Sequence, residues 1–205
     1  MTNVVNFSGA TRKFEVTRAD IMDLGDYTKI RIEKRKALVQ TKKHRRVSIG
    51  PHATFYFESY DTMWLQIHEM LYIEKGGEQQ IPDELAAYNP LIPNGRELVA
   101  TLMFEIDDEL LRKRVLGGLG GVEETVFIKI GDREINAVAE EDVDRTNAEG
   151  KASSVQFLHF PFTDADVDAF NREGSEIVLG IRHKNYPHMT LLQAATKAEL
   201  QRDFA

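Results

Sequence analysis

No cysteine occurs among the 205 residues. That absence removes disulfides, thiolate zinc sites, iron–sulfur ligation and thiol nucleophiles together. It fits a reducing cytoplasm, where no disulfide framework is expected. No run approaches eighteen consecutive apolar residues, so no membrane-spanning helix is expected. Residues 1–10 carry no basic stretch followed by an apolar core and do not read as a secretory signal. Long stretches rich in Pro, Gly or Ser are also missing, as are internal repeats. One globular domain over residues 17–205 is therefore expected, preceded by a loose lead-in over 1–16. A chain of this length buries a sizeable core without a metal or covalent staple.

What is present is an uneven charge. The chain carries a net −7. Between Lys29 and Arg46, however, nine Lys and Arg face Glu33 alone, a local +8 that leaves the remainder at −15. An overall acidic molecule is a poor nucleic-acid binder, yet this basic segment is flanked by Tyr27, Phe55 and Tyr56, which makes it the place where nucleic acid would bind if anywhere. A solvated helix face, or a surface for an acidic partner protein, explains the same charges.

Periodicity gives the elements. Thr17 caps a short turn over residues 18–22, and Asp26 is expected to cap a helix reaching about His44, with Tyr27, Ile30, Ala37, Leu38 and Thr41 on its apolar side. Residues 46–58 read as two strands turning at Gly50-Pro51. Ser59 or Asp61 then caps a helix that ends at Gly76-Gly77. A shorter helix over 81–88 opens with Pro82 and is stopped by Asn89-Pro90. Residues 97–106 form a nearly all-apolar strand, expected to be central, and 107–117 a helix. A hairpin turns at Gly131-Asp132. Residues 154–162 and 176–183 are further strands, the latter the last, with a helix from Thr163 to Gly174 between them. Residues 190–204 read as a terminal helix. The expected fold is α+β: a mostly antiparallel, curved sheet of six or seven strands with helices packed against it.

Familiar motifs fail on detail. Gly117-Gly-Leu-Gly-Gly121 follows a helix and lacks the Gly-Lys-Ser/Thr of a phosphate loop, so it reads as a helix C-terminus. Asp142-Val-Asp-Arg-Thr-Asn and Asp164-Ala-Asp-Val-Asp start like calcium loops but lack Gly at the sixth and Glu at the twelfth position. The six histidines build no His-Glu-x-x-His pair.

The helix over 62–75 holds the candidate site. At 100° per residue Tyr60, Met63, Trp64, Ile67, Met70, Leu71 and Glu74 share one broad face. Gln66, His68 and Glu69 are polar residues on a helix with little polar surface to spare. Glu74 sits near the C-terminal end, where the macrodipole disfavours a carboxylate. Glu69 and Glu74 are thus the candidate catalytic carboxylates, and His68, Glu69 and Glu74 the candidate metal ligands. Gln66, Tyr88, Asn89, His52 and Arg46 are candidate binding residues. A structural salt bridge explains Glu74 equally well.

Three runs, Gly50-Pro-His52, Gln66-Ile-His-Glu-Met-Leu-Tyr-Ile-Glu74 and Glu84-Leu-Ala-Ala-Tyr-Asn-Pro-Leu-Ile-Pro-Asn-Gly95, resemble the bacterial domain-of-unknown-function family 3501. The similarity runs from about Thr17 to the terminal helix, and Lys151 to Phe160 fits as well. The resemblance implies genes beside a rubrerythrin-like di-iron protein and a cysteine-rich iron–sulfur protein, hence a cytoplasmic redox or peroxide-defence setting. A cysteine-free chain cannot hold the cluster itself. The expectation is an accessory or ligand-binding protein partnering that system, with a homo-oligomer as another possible assembly. The alternative is a carboxylate/histidine enzyme, with a metal as an open possibility; nucleic-acid binding through 29–46 ranks below both. No cofactor is specified.

Overall fold

In the computed structural model, residues 13–140, 146 and 150–205 are described. Strand β3 (Glu97–Phe104) has one wholly apolar face and Val99 and Met103 on the other, and it is covered on both sides. It lies at the centre of a five-stranded sheet of order β1-β2-β3-β7-β6, formed with β1 (Arg46–Ile49), β2 (Ala53–Phe57), β6 (Val138–Ala139) and β7 (Val155–Pro161). Its inward residues Leu98, Ala100, Leu102 and Phe104 meet a second sheet of order β5-β4-β8-β9. That sheet comprises β4 (Val126–Ile130), β5 (Arg133–Asn136), β8 (Ile177–His183) and β9 (Tyr186–Leu191). Every strand pairing is antiparallel.

The outward face of β3 is covered differently. Val99, with Phe157 of β7, packs under Met63 and Ile67 of α2 (Tyr60–Glu74) and Ile81 of α3 (Ile81–Tyr88). The long helix α1 (Leu24–Lys43) then lies on α2, burying Tyr27 and Leu38. The molecule is layered: sheet, sheet, α2 with α3, and α1 outermost. At one end of the sandwich Phe162, Phe170 and Phe204 cluster with centroids 4.7–5.8 Å apart, bringing α5 (Asp164–Asn171) and the segment after α6 (Ala194–Leu200) onto the core. The remaining helix, α4 (Glu109–Gly117), starts at Asp108, which caps Leu111 N–H, and its C-cap is Gly118.

The α+β single-domain expectation agrees with this architecture, and several details are corrected. There are two sheets, and the second arm of the hairpin expected at Gly131-Asp132 runs from one to the other: Asn136 pairs with β4 in one sheet, Val138 with β7 in the other. A further strand, β9, occupies residues read as loop and helix start, so the terminal helix begins at Ala194. Asp23, not Asp26, caps α1, its carboxylate accepting the Gly25 N–H at 2.8 Å. Residues 1–12 of the expected lead-in lie outside the described residues. Val16 belongs to the fold: it is fully buried, and the Asn89 amide brackets its backbone, accepting its N–H at 2.9 Å and donating to its carbonyl at 3.0 Å. Of the two calcium-like runs, the first lies outside the described residues except for Thr146. The second is the first turn of α5, with Asp166 bonded to the Thr163 backbone N–H and to Arg133.

A single hydroxyl ties the sheets together at the β1–β2 turn. Tyr186 Oη donates to the Ile49 carbonyl at 2.9 Å and accepts the N–H groups of His52 at 2.8 Å and Ala53 at 2.9 Å. The turn passes so close that Gly50, at φ +63°, has no room for a side chain: a Cβ would lie 2.7 Å from the His188 ring. Tyr186→Phe leaves these backbone groups without their partner and is expected to cost about 2–3 kcal/mol in chemical denaturation, against a near-neutral change for an exposed tyrosine.

Candidate functional site

The polar residues of α2 were singled out because buried polar groups need partners, and the structure supplies most of those partners from α1, from the residues just before it and from α3. His68, 2% exposed, accepts the Met22 N–H at Nε2 (3.1 Å), which leaves Nδ1 as the protonated nitrogen donating to the Trp64 carbonyl at 2.7 Å. Its ring lies tilted against Trp64 with centroids 3.9 Å apart, and 4.8 Å from Tyr27. Burial pushes its pKa down, so it is neutral, with both nitrogens engaged.

Glu69 is the electrostatic centre of the same seam. It accepts the Tyr27 hydroxyl at 2.6 Å and two Arg31 N–H groups at 2.8 and 2.7 Å. The Arg31 guanidinium holds the carboxyl below its usual range, while burial and Glu69 itself push the Tyr27 phenol up. Arg31 also covers the Tyr72 ring at 4.3 Å. This is a charge-assisted lock between two helices.

The other candidates lie elsewhere. Glu74 is exposed, beyond the part of α2 that reaches the sheet, and accepts the Gln80 amide at 2.8 Å. Gln66 donates to the Tyr88 hydroxyl at a long 3.4 Å, and Asn89 holds Val16. His52 lies in the β1–β2 turn, and Arg46 on β1 pairs with Glu105 at 3.2 Å over the Tyr56 ring. The eight candidates thus divide among the α1–α2 seam, the α2–α3 end and the first hairpin rather than lining one cavity. Among the described residues no group of three His, Asp or Glu is placed to hold a metal.

One feature escaped the sequence reading, and a second was visible in it only as a run of charge. One is Asp61, in the first turn of α2, which lines a shallow cleft with Lys34, Ala37, Leu38, Thr41, Trp64 and Leu65. Desolvation raises its pKa, and Arg45, Arg202 and Lys34 offset that only in part. The adjacent Arg45, 3% exposed, is taken up elsewhere: it binds Asp203 at 2.5 and 2.9 Å, Glu199 at 3.1 Å and the Glu58 carbonyl at 2.9 Å. The spacing of Asp61, Trp64 and Leu65 was the available signal, since i, i+3 and i+4 share a helix face. The other is the outer side of α1. Arg35, Lys36, Lys42 and Lys43 are exposed and form no ion pair among the described residues, and Ile32 and Val39 between them are 67% and 61% exposed.

A raised carboxyl pKa means the fold disfavours the charged form. The penalty is full above the folded pKa and gone below the unfolded value near 3.8. Asp61→Asn is accordingly expected to raise the melting temperature at neutral pH, with the gain shrinking as pH falls towards 3.8 in a thermal-melt series. Glu69→Ala, which strips the partner from Tyr27 and Arg31, is expected to cost about 1–3 kcal/mol. Glu74→Ala, at an exposed position, should change stability by less than about 0.5 kcal/mol.

The chain is similar to the crystal structure of a novel protein of unknown function from Burkholderia pseudomallei K96243, with 37% identity and a TM-score of 0.85 over 93% of this chain and 99% of that one. No curated protein matches. The model of the family described as "Protein of unknown function (DUF3501)" matches residues 15–204, and the chain belongs to that family.

Proposed function

We propose that this protein is a non-catalytic accessory protein that docks onto an acidic partner through the outer side of α1. The observation that carries the reading is the contrast on that helix. Its inner side is locked to α2 by Tyr27, Arg31 and Glu69, while its outer side presents cations that form no ion pair among the described residues, around exposed Ile32 and Val39. Solvated lysines alone need no apolar residues among them; exposed apolar side chains set among mostly basic neighbours are what a partner surface offers. The rest of the chain is acidic, which favours a protein partner over nucleic acid. No helix of the described residues is long and apolar enough to cross a membrane.

The family resemblance names the first partners to try, a rubrerythrin-like di-iron protein and a cysteine-rich iron–sulfur protein, in an iron-dependent redox system of the cytoplasm. A second reading, a carboxylate-using enzyme, has its support in Asp61, a half-buried carboxylate in a cleft that accepts no hydrogen bond from a described residue.

Pull-down of the tagged protein with each purified neighbour tests the first reading. Capture is expected at low salt, with most of it lost in the exposed charge-reversal variant Arg35→Glu/Lys36→Glu/Lys43→Glu and at high salt. Enrichment of neither neighbour, or capture indifferent to the charge reversal, sinks it.

A further inference from the structure

A second regularity runs down the outer side of α1. Lys29, Ile32, Lys36, Val39 and Lys43 are spaced alternately three and four residues apart, and all five are exposed. At 100° per residue they fall within about 80° of one another, roughly 150° from Tyr27 and Leu38 on the side that faces α2. Three-four spacing is the a/d repeat by which one helix accepts another, with lysine here at each a position and a β-branched residue at each d. Arg35 and Lys42 flank the stripe on one side, Glu33 and Gln40 on the other. Lys29 makes an exposed pair with Asp26 at 2.7 Å, an interaction that a competing carboxylate replaces at little expense.

Building on the docking role proposed above, we infer that this stripe is the seam of a two-helix coiled coil and that its occupant is a single acidic helix. That helix carries apolar residues against Ile32 and Val39 and carboxylates against the lysines, Arg35 and Lys42. Charge complementarity selects it. A second copy is rejected by the same pattern: parallel self-pairing stacks lysine on lysine at every a layer, and antiparallel self-pairing sets Arg35 and Lys42 against their own counterparts. A lipid surface is disfavoured, since two aliphatic residues and no aromatic give little to insert. Lys29 to Lys43 spans about 21 Å, two heptads, so the association is reversible rather than permanent.

The test uses the full chain and a labelled three-heptad synthetic peptide with Leu at the positions facing Ile32 and Val39 and Glu at those facing the cations. Its control is a peptide of the same composition with the repeat scrambled. Fluorescence anisotropy is expected to show the repeat peptide binding at least about tenfold more tightly than the scrambled one, with both weakened by salt. Ile32→Ser/Val39→Ser, both at exposed positions, should abolish that preference, and Lys36→Glu/Lys43→Glu should weaken both peptides. Equal binding of the two peptides, still lost on charge reversal, overturns the helical seam and leaves acidic docking standing. Binding of neither peptide, while a neighbour is captured in a charge-dependent way, does the same. Tighter binding to a short RNA or to phosphatidylserine vesicles than to the repeat peptide overturns both. Sedimentation of the protein alone as a dimer that Lys36→Glu/Lys43→Glu dissociates overturns the seam's partner assignment.

Discussion

A central strand covered on both faces imposes the layering of the whole molecule. Leu98, Ala100, Leu102 and Phe104 demand cover from one side of β3, and Val99 demands it from the other. The second sheet answers the first demand; α2 and α3 answer the second. Both elements are then anchored by polar contacts, since each must meet its neighbour in one register. Tyr186 fixes the second sheet to the first hairpin, and Asn89 fixes the end of α3 to the chain entering at Val16. With the sandwich already covered, α1 has only the back of α2 to lie on. Its exposure follows from its place in the stack.

Much of this was legible in residues whose local and tertiary preferences agree. The turn at Gly50-Pro51, the apolar run of β3, the Ser59 cap of α2 and the Thr163 cap of α5 all stand where pattern and turn chemistry put them. One miss arose from residues whose polarity contradicts their burial. In β9 the inward residues are Tyr186, His188 and Thr190, while Pro187, Met189 and Leu191 point out, so hydropathy alternates the wrong way. Pro187 is tolerated because β9 is an edge strand. The crossing at Ala137 was invisible because Ala137, Val138 and Ala139 simply prolong the apolar character of the strand, and no turn residue marks the change of sheet.

The candidate site was legible only in outline. Buried polar groups on α2 correctly signalled interactions, and His68 and Glu69 do meet partners there. Those partners, Tyr27, Arg31 and Met22, come from a segment some forty residues earlier, and nothing in the local pattern assigns that pairing. Glu74 shares the apolar helix face by angle, yet lies past the point where that face meets the sheet; angle alone does not give depth. The charge asymmetry of residues 29–46 was readable directly, whereas its division into locked and exposed cations required knowing which side of α1 meets α2.

The seam between α1 and α2 contains the chain's sole tryptophan. The Trp64 indole N–H is bonded to the Asp20 carbonyl at 2.9 Å, and its ring lies against His68 with the Lys34 ammonium 5.8 Å from its centroid. Intrinsic emission from this protein therefore reports one junction, that of the outermost layer, and is nearly blind to the two sheets. Departure of α1 would move the indole from a packed, bonded setting into water while the β-structure stays intact. Optical unfolding curves followed by tryptophan and by far-ultraviolet dichroism consequently measure different layers of the same molecule.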